Sequence, residues 1–216
     1  VHFPVDIHTD EAAFDIQFGN LTRKIHRNTS WDEARFESCG QKWMDMSEGH
    51  YGVSLLNDCK YGHSALDGVM TLTLIKSGIE PNPTADQEEH TFTYALYPHA
   101  EGWRQANTVQ EAMKLNQPLL SEEGGQAGCQ NSFVWVDKSN VIIETVKMAE
   151  DDDGIIVRLY ESENAKTKAH IFFGEKISSV ESCNCLEEIK QTIETDGEGF
   201  EITVKPYEIQ TYRVRF

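Results

Sequence analysis

One pattern limits what this chain can fold into more than any other: apolar and polar residues alternate one for one along most of its length. Successive side chains of a β-strand point to opposite faces, so alternation buries one face and wets the other; a helix needs apolar residues three to four apart. FPVDIHT puts Phe3, Val5 and Ile7 on one face, and AFDIQFG does the same for Phe14, Ile16 and Phe18 before stopping at Gly19. VMTLTLIK sets Met70, Leu72 and Leu74 against Val69, Thr71 and Thr73, and HTFTYALYPH sets Phe92, Tyr94 and Leu96 against Thr91, Thr93 and Ala95. SFVWV, NVIIETVKM, IIVRLYE, AHIFF, FEITV and IQTYRV follow. Thr, Val, Ile and aromatic residues fill these runs, and these types suit a pleated, half-buried surface.

Turn-forming clusters separate the runs: PNP at 81–83, DDDG at 151–154 and TDGEG at 195–199. Helical spacing is confined to TVQEAMKLN and CLEEIKQTIE, and the second reads equally well as a strand with a polar edge. There is no internal repeat, and strands recur at similar spacing throughout. The expectation is one all-β domain over residues 1–216, built as two packed antiparallel sheets.

Charge narrows the partners. A formal net charge of −17 repels phosphate backbones and anionic lipid headgroups, which argues against nucleic acid and membrane surfaces and leaves neutral ligands such as sugars. No run of 18 apolar residues and no signal peptide is present, and the five cysteines are odd in number and irregularly spaced. That usage points to a reducing, cytoplasmic compartment. The start at Val1 reads as a mature form or a fragment of something longer.

Familiar chemical motifs are missing: no GxGxxG or Walker loop, no GxSxG, no HExxH. Cys183 and Cys185 lack the second pair of a structural zinc site. His90 and His99 stand an odd number apart on one apparent strand and so point to opposite faces. A retaining glycosidase needs two carboxyl groups about 5 Å apart with separated pKa values, and no pair among these many carboxylates stands out. One stretch does: in YGVSLLNDCKYGHS, residues 51–64, an apolar strand ends on Asn57, Asp58, Lys60, Tyr61 and Gly62. It reads as an Asx turn with Asp58 and Lys60 paired across it, or as a polar cluster held out to a ligand.

HYGVSLLNDCKYGHSALDG resembles the hallmark of the C-terminal β domain of glycoside hydrolase family 38 α-mannosidases. RNTSWDEARFE and QKWMDMSE match the family's run into that strand, and LTLIKSGIEPNPTADQEEHTFTYALYPHAEGW matches its next block. LNQPL, SFVWVDKSNVIIETVKMAEDDDG, VRLYE and KPYEIQTYRV follow in the family's order, so the resemblance covers essentially the whole chain. It is nearer the bacterial and cytosolic or vacuolar branch than the Golgi branch. It implies the second half of a galactose-mutarotase-like β-supersandwich. The parent would be a retaining enzyme that releases terminal α-linked mannose from glycans, with an aspartate nucleophile, a carboxylic acid/base and a divalent metal, usually zinc. All of these belong to an N-terminal α/β domain, followed by a helical bundle, and none to this chain.

The resemblance makes this chain scaffold and active-site rim, inactive alone, with its own N-terminal domains and a mannose-containing glycan as partners. Its rim candidates are Asn57, Asp58, Lys60, Tyr61, Lys76 and Asp86. Lys76 stands where the family commonly places a basic residue closing the next strand; Tyr61 and Trp103 are suited to stacking on a sugar, or equally to burial. The family's Asp-x-Gly-x-His appears here as Asp86-Gln87-Glu88-Glu89-His90, with Glu88 in place of a residue that takes positive φ readily. Strands missing upstream of Val1 would leave edges open to self-association. Two further readings remain: a free-standing carbohydrate-binding module, and a mutarotase-like epimerase using a His and a Glu.

Overall fold

A computed structural model describes residues 1–121, 123–124 and 132–216. Strands hold 45% of the described residues and helices 7%, so the alternation is realised as an all-β fold. Even strand spacing suggests one domain, but the chain forms two compact units, Val1–Leu120 and Ser121–Phe216. Each closes its own hydrophobic core, and the two cores have no residue in common.

The first unit runs β1 (His2–Pro4), β2 (Glu11–Ile16), β3 (Gly19–Lys24), α1 (Ser30–Ala34), β4 (Ser38–Cys39), β5 (Trp43–Ser47), β6 (Tyr51–Asn57), β7 (Gly62–Leu66), β8 (Val69–Thr73), β9 (Tyr94–Ala100) and α2 (Thr108–Asn116). Its antiparallel sheets have the orders β1-β8-β7-β4 and β3-β2-β5-β6-β9. Met70 and Leu72 of the first sheet meet Phe14, Met44, Met46, Val53 and Leu55 of the second. Helix α2 packs on the other side of β5 and β6. These strands are therefore buried on both faces, which puts Asp45 and Ser54 out of water along with Trp43.

The second unit runs β10 (Val134–Val136), β11 (Val141–Met148), β12 (Ile155–Glu161), β13 (Thr167–Phe173), β14 (Ser179–Cys183), β15 (Ile189–Ile193), β16 (Gly199–Val204) and β17 (Ile209–Arg215). The sheets β10-β13-β16 and β11-β12-β17-β14-β15 close over Leu159, Ile171, Val180, Phe200, Ile202 and Val214. DDDG is the loop between β11 and β12, and its charge is matched locally. Arg213 reaches Asp151 at 2.7 Å, and Arg215 grips both oxygens of Asp153 at 2.9 and 2.8 Å.

Several elements differ from the sequence expectation. TVQEAMKLN is α2 as read, and of its two readings CLEEIKQTIE takes the strand, β15, which pairs with β14 from Val180↔Ile193 onward. Phe18 lies in the β2–β3 turn at φ 54°, not on a strand face. Strand β9 begins at Tyr94, so His90 and His99 share no strand, and the opposite-face inference does not apply to them. Helix α1 follows a capping box: Asp32 N–H donates to Thr29 Oγ1 at 3.3 Å, and Thr29 N–H donates to Asp32 Oδ2 at 3.1 Å.

Two separate cores should respond separately. Leu55→Ala and Ile171→Ala each remove a fully buried side chain and are expected to cost about 2–5 kcal/mol. Native-state hydrogen exchange should speed up mainly in the unit carrying the substitution. Equal deprotection of both units would contradict two independent cores.

Candidate functional site

Strand β6 ends on an asparagine that is wholly buried. Asn57 Nδ2 donates to the Gln41 carbonyl at 2.8 Å and lies 3.3 Å from His63 Nε2, while Oδ1 accepts the Lys60 N–H at 2.6 Å. Its backbone N–H donates to the Lys42 carbonyl, and its own carbonyl accepts from Asn116 of α2 at 3.0 Å. Every polar atom of Asn57 is thus engaged inside the protein. Asn57 makes the turn from inside the fold.

The other candidates project from that base. Thr93 N–H donates to the exposed Asp58 carboxylate at 2.9 Å, tying the turn to the chain entering β9. Partial burial pushes Asp58 up, but hydrogen bonds from the Cys59 thiol and Thr93 outweigh it and hold the carboxyl below its usual range. Lys60 does not pair with Asp58: its ammonium sits 4.5 Å from the centre of the Phe92 ring, whose neighbour is Tyr94 at 6.5 Å. Tyr61 is 58% exposed. Lys76 and Asp86 are exposed on the long segment between β8 and β9. Asp86 itself takes the positive φ, 57°, and its carbonyl lies 3.0 Å from His90 Nε2, so the loop turns there without a glycine at 88. Trp103 is core, 5.0 Å from the Trp43 ring, which settles its two readings in favour of burial.

The sequence reading missed a buried polar cluster between β5, β6, β9 and α2. His99 Nε2 lies 2.8 Å from Asp45 Oδ2; Ser54 Oγ donates to the same oxygen at 2.7 Å and lies 2.8 Å from Thr108 Oγ1. These are the residue types of a nucleophilic triad in a geometry that cannot serve as one. A triad uses both ring nitrogens, one for the acid and one for the serine. Here Ser54 and Asp45 both address Nε2, and Ser54 is fully buried. Burial drives the His99 imidazole down, but the hydrogen bond and charge of Asp45 prevail and raise it above its usual pKa. A Cβ at Gly52 would stand 2.3 Å from His99 Cε1, so only glycine lets the ring lie there. The available signal was Asp45, a carboxylate in the middle of the apolar run WMDMS.

Two more buried groups titrate abnormally. His63 is pushed down to about 4 by burial; it is neutral, with Nδ1 3.2 Å from the Tyr61 carbonyl. Asp15 is pushed up to about 6 by burial, against the Lys42 N–H that bonds its carboxylate at 3.0 Å. No three His, Cys, Asp or Glu side chains among the described residues form a group able to hold a metal. Cys183 is buried and Cys185 exposed, both as free thiols; Cys129 lies outside the described residues. The groove of about 780 Å³ formed by residues 5–10, 25–28 and 66–68 contains none of the six candidates.

Known proteins match both units. The family model described as "Glycosyl hydrolases family 38 C-terminal domain" matches residues 1–84, and "Glycosyl hydrolases family 38 C-terminal beta sandwich domain" matches residues 140–212. "Alpha-mannosidase G" of Dictyostelium discoideum is 37% identical over 96% of this chain and 20% of its own length. "Alpha-mannosidase 2C1" of Homo sapiens is 38% identical over 87% of this chain and 18% of its own. The chain therefore spans about a fifth of these relatives. The crystal structure of an α-mannosidase from Enterococcus faecalis V583 superposes with a TM-score of 0.78 at 21% identity, over 99% of this chain and 25% of that one, so the fold is shared.

Asn57→Ala is expected to destabilise the chain by about 2–4 kcal/mol, because it leaves buried partners unsatisfied. Lys60→Ala, which removes a partly exposed cation–π contact, should cost about 1 kcal/mol or less. Urea denaturation separates the two; equal effects would remove Asn57 as the anchor of the turn. His63 adds a pH signature. Its folded pKa lies below the unfolded 6.5, so the unfolded chain binds the extra proton, and stability is lost as pH falls from 6.5 towards 4. The shift corresponds to about 3 kcal/mol at roughly 1.36 kcal/mol per unit. Asp15 acts oppositely, its burial costing stability as pH rises from 3.8 through 6. The stability difference between wild type and His63→Asn isolates the histidine and should narrow across that window; a constant difference would contradict a buried neutral imidazole.

Proposed function

Because this chain belongs to the C-terminal region of glycosyl hydrolases family 38, we propose that it is the β scaffold and active-site rim of an α-mannosidase. The observation that carries this reading is the order of the two family models, one falling in each unit of the chain. The substrate is terminal α-linked mannose on glycans or oligosaccharides, hydrolysed with retention. That chemistry needs two carboxyl groups flanking the scissile bond. The proposal assigns both, with a divalent metal such as zinc, to a catalytic domain that this chain adjoins in the longer protein.

The chain's own contribution is positional. Asn57 fixes the base of the turn from inside, so that Asp58, Lys60 and Tyr61 are held on a rigid strand end rather than on a free loop. Asp58 accepts from Thr93, which couples that turn to the segment bearing Lys76 and Asp86. These residues are the ones we assign to the rim, where they orient a catalytic-domain loop or a sugar hydroxyl. Exposed free thiols at Cys39, Cys59 and Cys185 favour a reducing, cytoplasmic setting. Among the described residues no helix is long and apolar enough to cross a membrane.

The isolated chain is expected to release no p-nitrophenol from a p-nitrophenyl α-mannoside, with or without added zinc, while the longer protein does so. Metal-dependent turnover by the pure chain would overturn the assignment of scaffold.

A further inference from the structure

The outer face of the β10-β13-β16 sheet has a composition that the hydrolase reading does not use. The cores take Ala169, Ile171 and Phe173 from β13, so its alternate residues face outward. Cross-strand pairing sets Trp135 opposite Phe172, and their rings stack 5.4 Å apart at 11°. The His170 ring continues the row, 4.2 Å from Phe172. Trp135 is 42% exposed. A stacked aromatic pair is by itself an ordinary way to stabilise two strands.

Three features go beyond that. A cavity of about 490 Å³ opens beside the row, lined by His170, Thr192, Glu194, Thr195, Asp196 and Glu201 among others. His170 Nε2 is shielded from solvent without a hydrogen-bond partner; Asp196 Oδ2, the nearest carboxylate, stands 3.7 Å away. Gly199, paired with Phe172, holds the ground beneath the ring: a Cβ there would stand 2.1 Å from the Ile171 carbonyl and 2.6 Å from His170 Nε2.

We propose that this face binds a neutral oligosaccharide, with one pyranose ring lying on Trp135 and hydroxyls of the neighbouring sugar entering the cavity beside His170. The C–H face of a pyranose is complementary to the electron-rich face of an indole, and its hydroxyl rim needs acceptors and a donor at the edge. The cavity supplies carboxylate acceptors and, at its rim, the exposed Thr192 hydroxyl as donor. Asp196 Oδ1 is taken by the amides of Glu198 and Gly199 at 2.9 and 2.7 Å, which leaves Oδ2 to accept. Glu201 is paired with Lys168 at 2.8 Å, and Asp137 Oδ1 accepts the His170 N–H at 2.8 Å. Asp196 and Glu201, two of the three acids lining the cavity, are thus engaged within the protein rather than standing as bare charge, which favours hydroxyl groups over a cationic ligand. Few polar groups converging beside an apolar platform is the usual make-up of a small-ligand site.

The test is calorimetric titration of the 216-residue chain with mannotriose and, separately, maltotriose. Saturable binding of at least one in the millimolar range is expected, and Trp135→Ala should weaken it about tenfold or more. Glu194→Gln, a milder change at the cavity rim, should weaken it about threefold with the fold intact by circular dichroism. Absence of saturation with both sugars would overturn the proposal. So would unchanged affinity in a folded Trp135→Ala, or displacement of the sugar by tetramethylammonium, which would mark the site as one for cations. The proposal does not rest on the hydrolase reading: binding is measured without turnover, so either fails without the other.

Discussion

The first unit hangs on one side-chain amide. Asn57 stands at the end of β6, in the sheet of β3, β2, β5, β6 and β9, yet its Nδ2 lies beside His63 of β7 in the opposite sheet. The same amide reaches Gln41 ahead of β5 and the Lys60 N–H across the turn, and the Asn57 carbonyl holds Asn116 of α2. One residue thus links both sheets and the covering helix at one point. An apolar side chain of that size would fill the space but strand the Gln41 carbonyl and the Lys60 N–H without water, the more expensive half of any hydrogen-bond exchange. The turn that follows owes its geometry to this interior arrangement rather than to the surface charges that first draw the eye.

The two ends of β6's neighbourhood solve the same problem with different histidines. Near Asn57, burial outweighs the Tyr61 carbonyl and the more distant Glu37 carboxylate and keeps His63 neutral, with Nδ1 towards Tyr61 and Nε2 towards Asn57. Further along, His99 shares its pocket with Asp45 and its pKa moves the other way. Burial opposes charge in both, and a carboxylate hydrogen-bonded to the ring, present only at His99, decides the sign. Ser54 and Thr108 complete the second cluster so that the Asp45 carboxylate is not left bare. Both clusters face inward, which places them in the scaffold, not in chemistry on a substrate.

Much of the fold was legible because alternation is a strong signal wherever one face meets a core and the other meets water. Ile155–Glu161 and Thr108–Asn116 coincide with the runs picked out by pattern. The signal failed where that condition failed. Strand β5 is buried on both faces, so alternation gives no sign that Asp45 lies inside. CLEEIKQTIE lies at a sheet edge with Ile189 half in water, where helix and strand patterns are hard to tell apart. The short α1 was announced by Thr29 and Asp32, a capping pair without the apolar stripe that helix recognition looks for. The division into two units left little trace because strands continue at the same rhythm on either side of residue 120. Of the site, residue types and the turn were readable; that Asn57 points in while Asp58 and Tyr61 point out depends on contacts with residues 16 to 59 positions away.

Burial then separates two kinds of polarity in this chain. In the first unit the Asn57 amide is spent on Gln41 and Lys60, and Ser54 on Asp45, so they confer rigidity. In the second unit, Trp135 keeps its ring face unspent at the outer side of a sheet whose inner face is packed. A group satisfied by its own fold has no free energy left for a ligand, whereas an exposed aromatic ring does. By that criterion, recognition of a ligand by this chain belongs to surfaces such as the β10-β13-β16 face and the projecting Tyr61. The conspicuous Asn57 of the turn serves as the fixed ground from which they project.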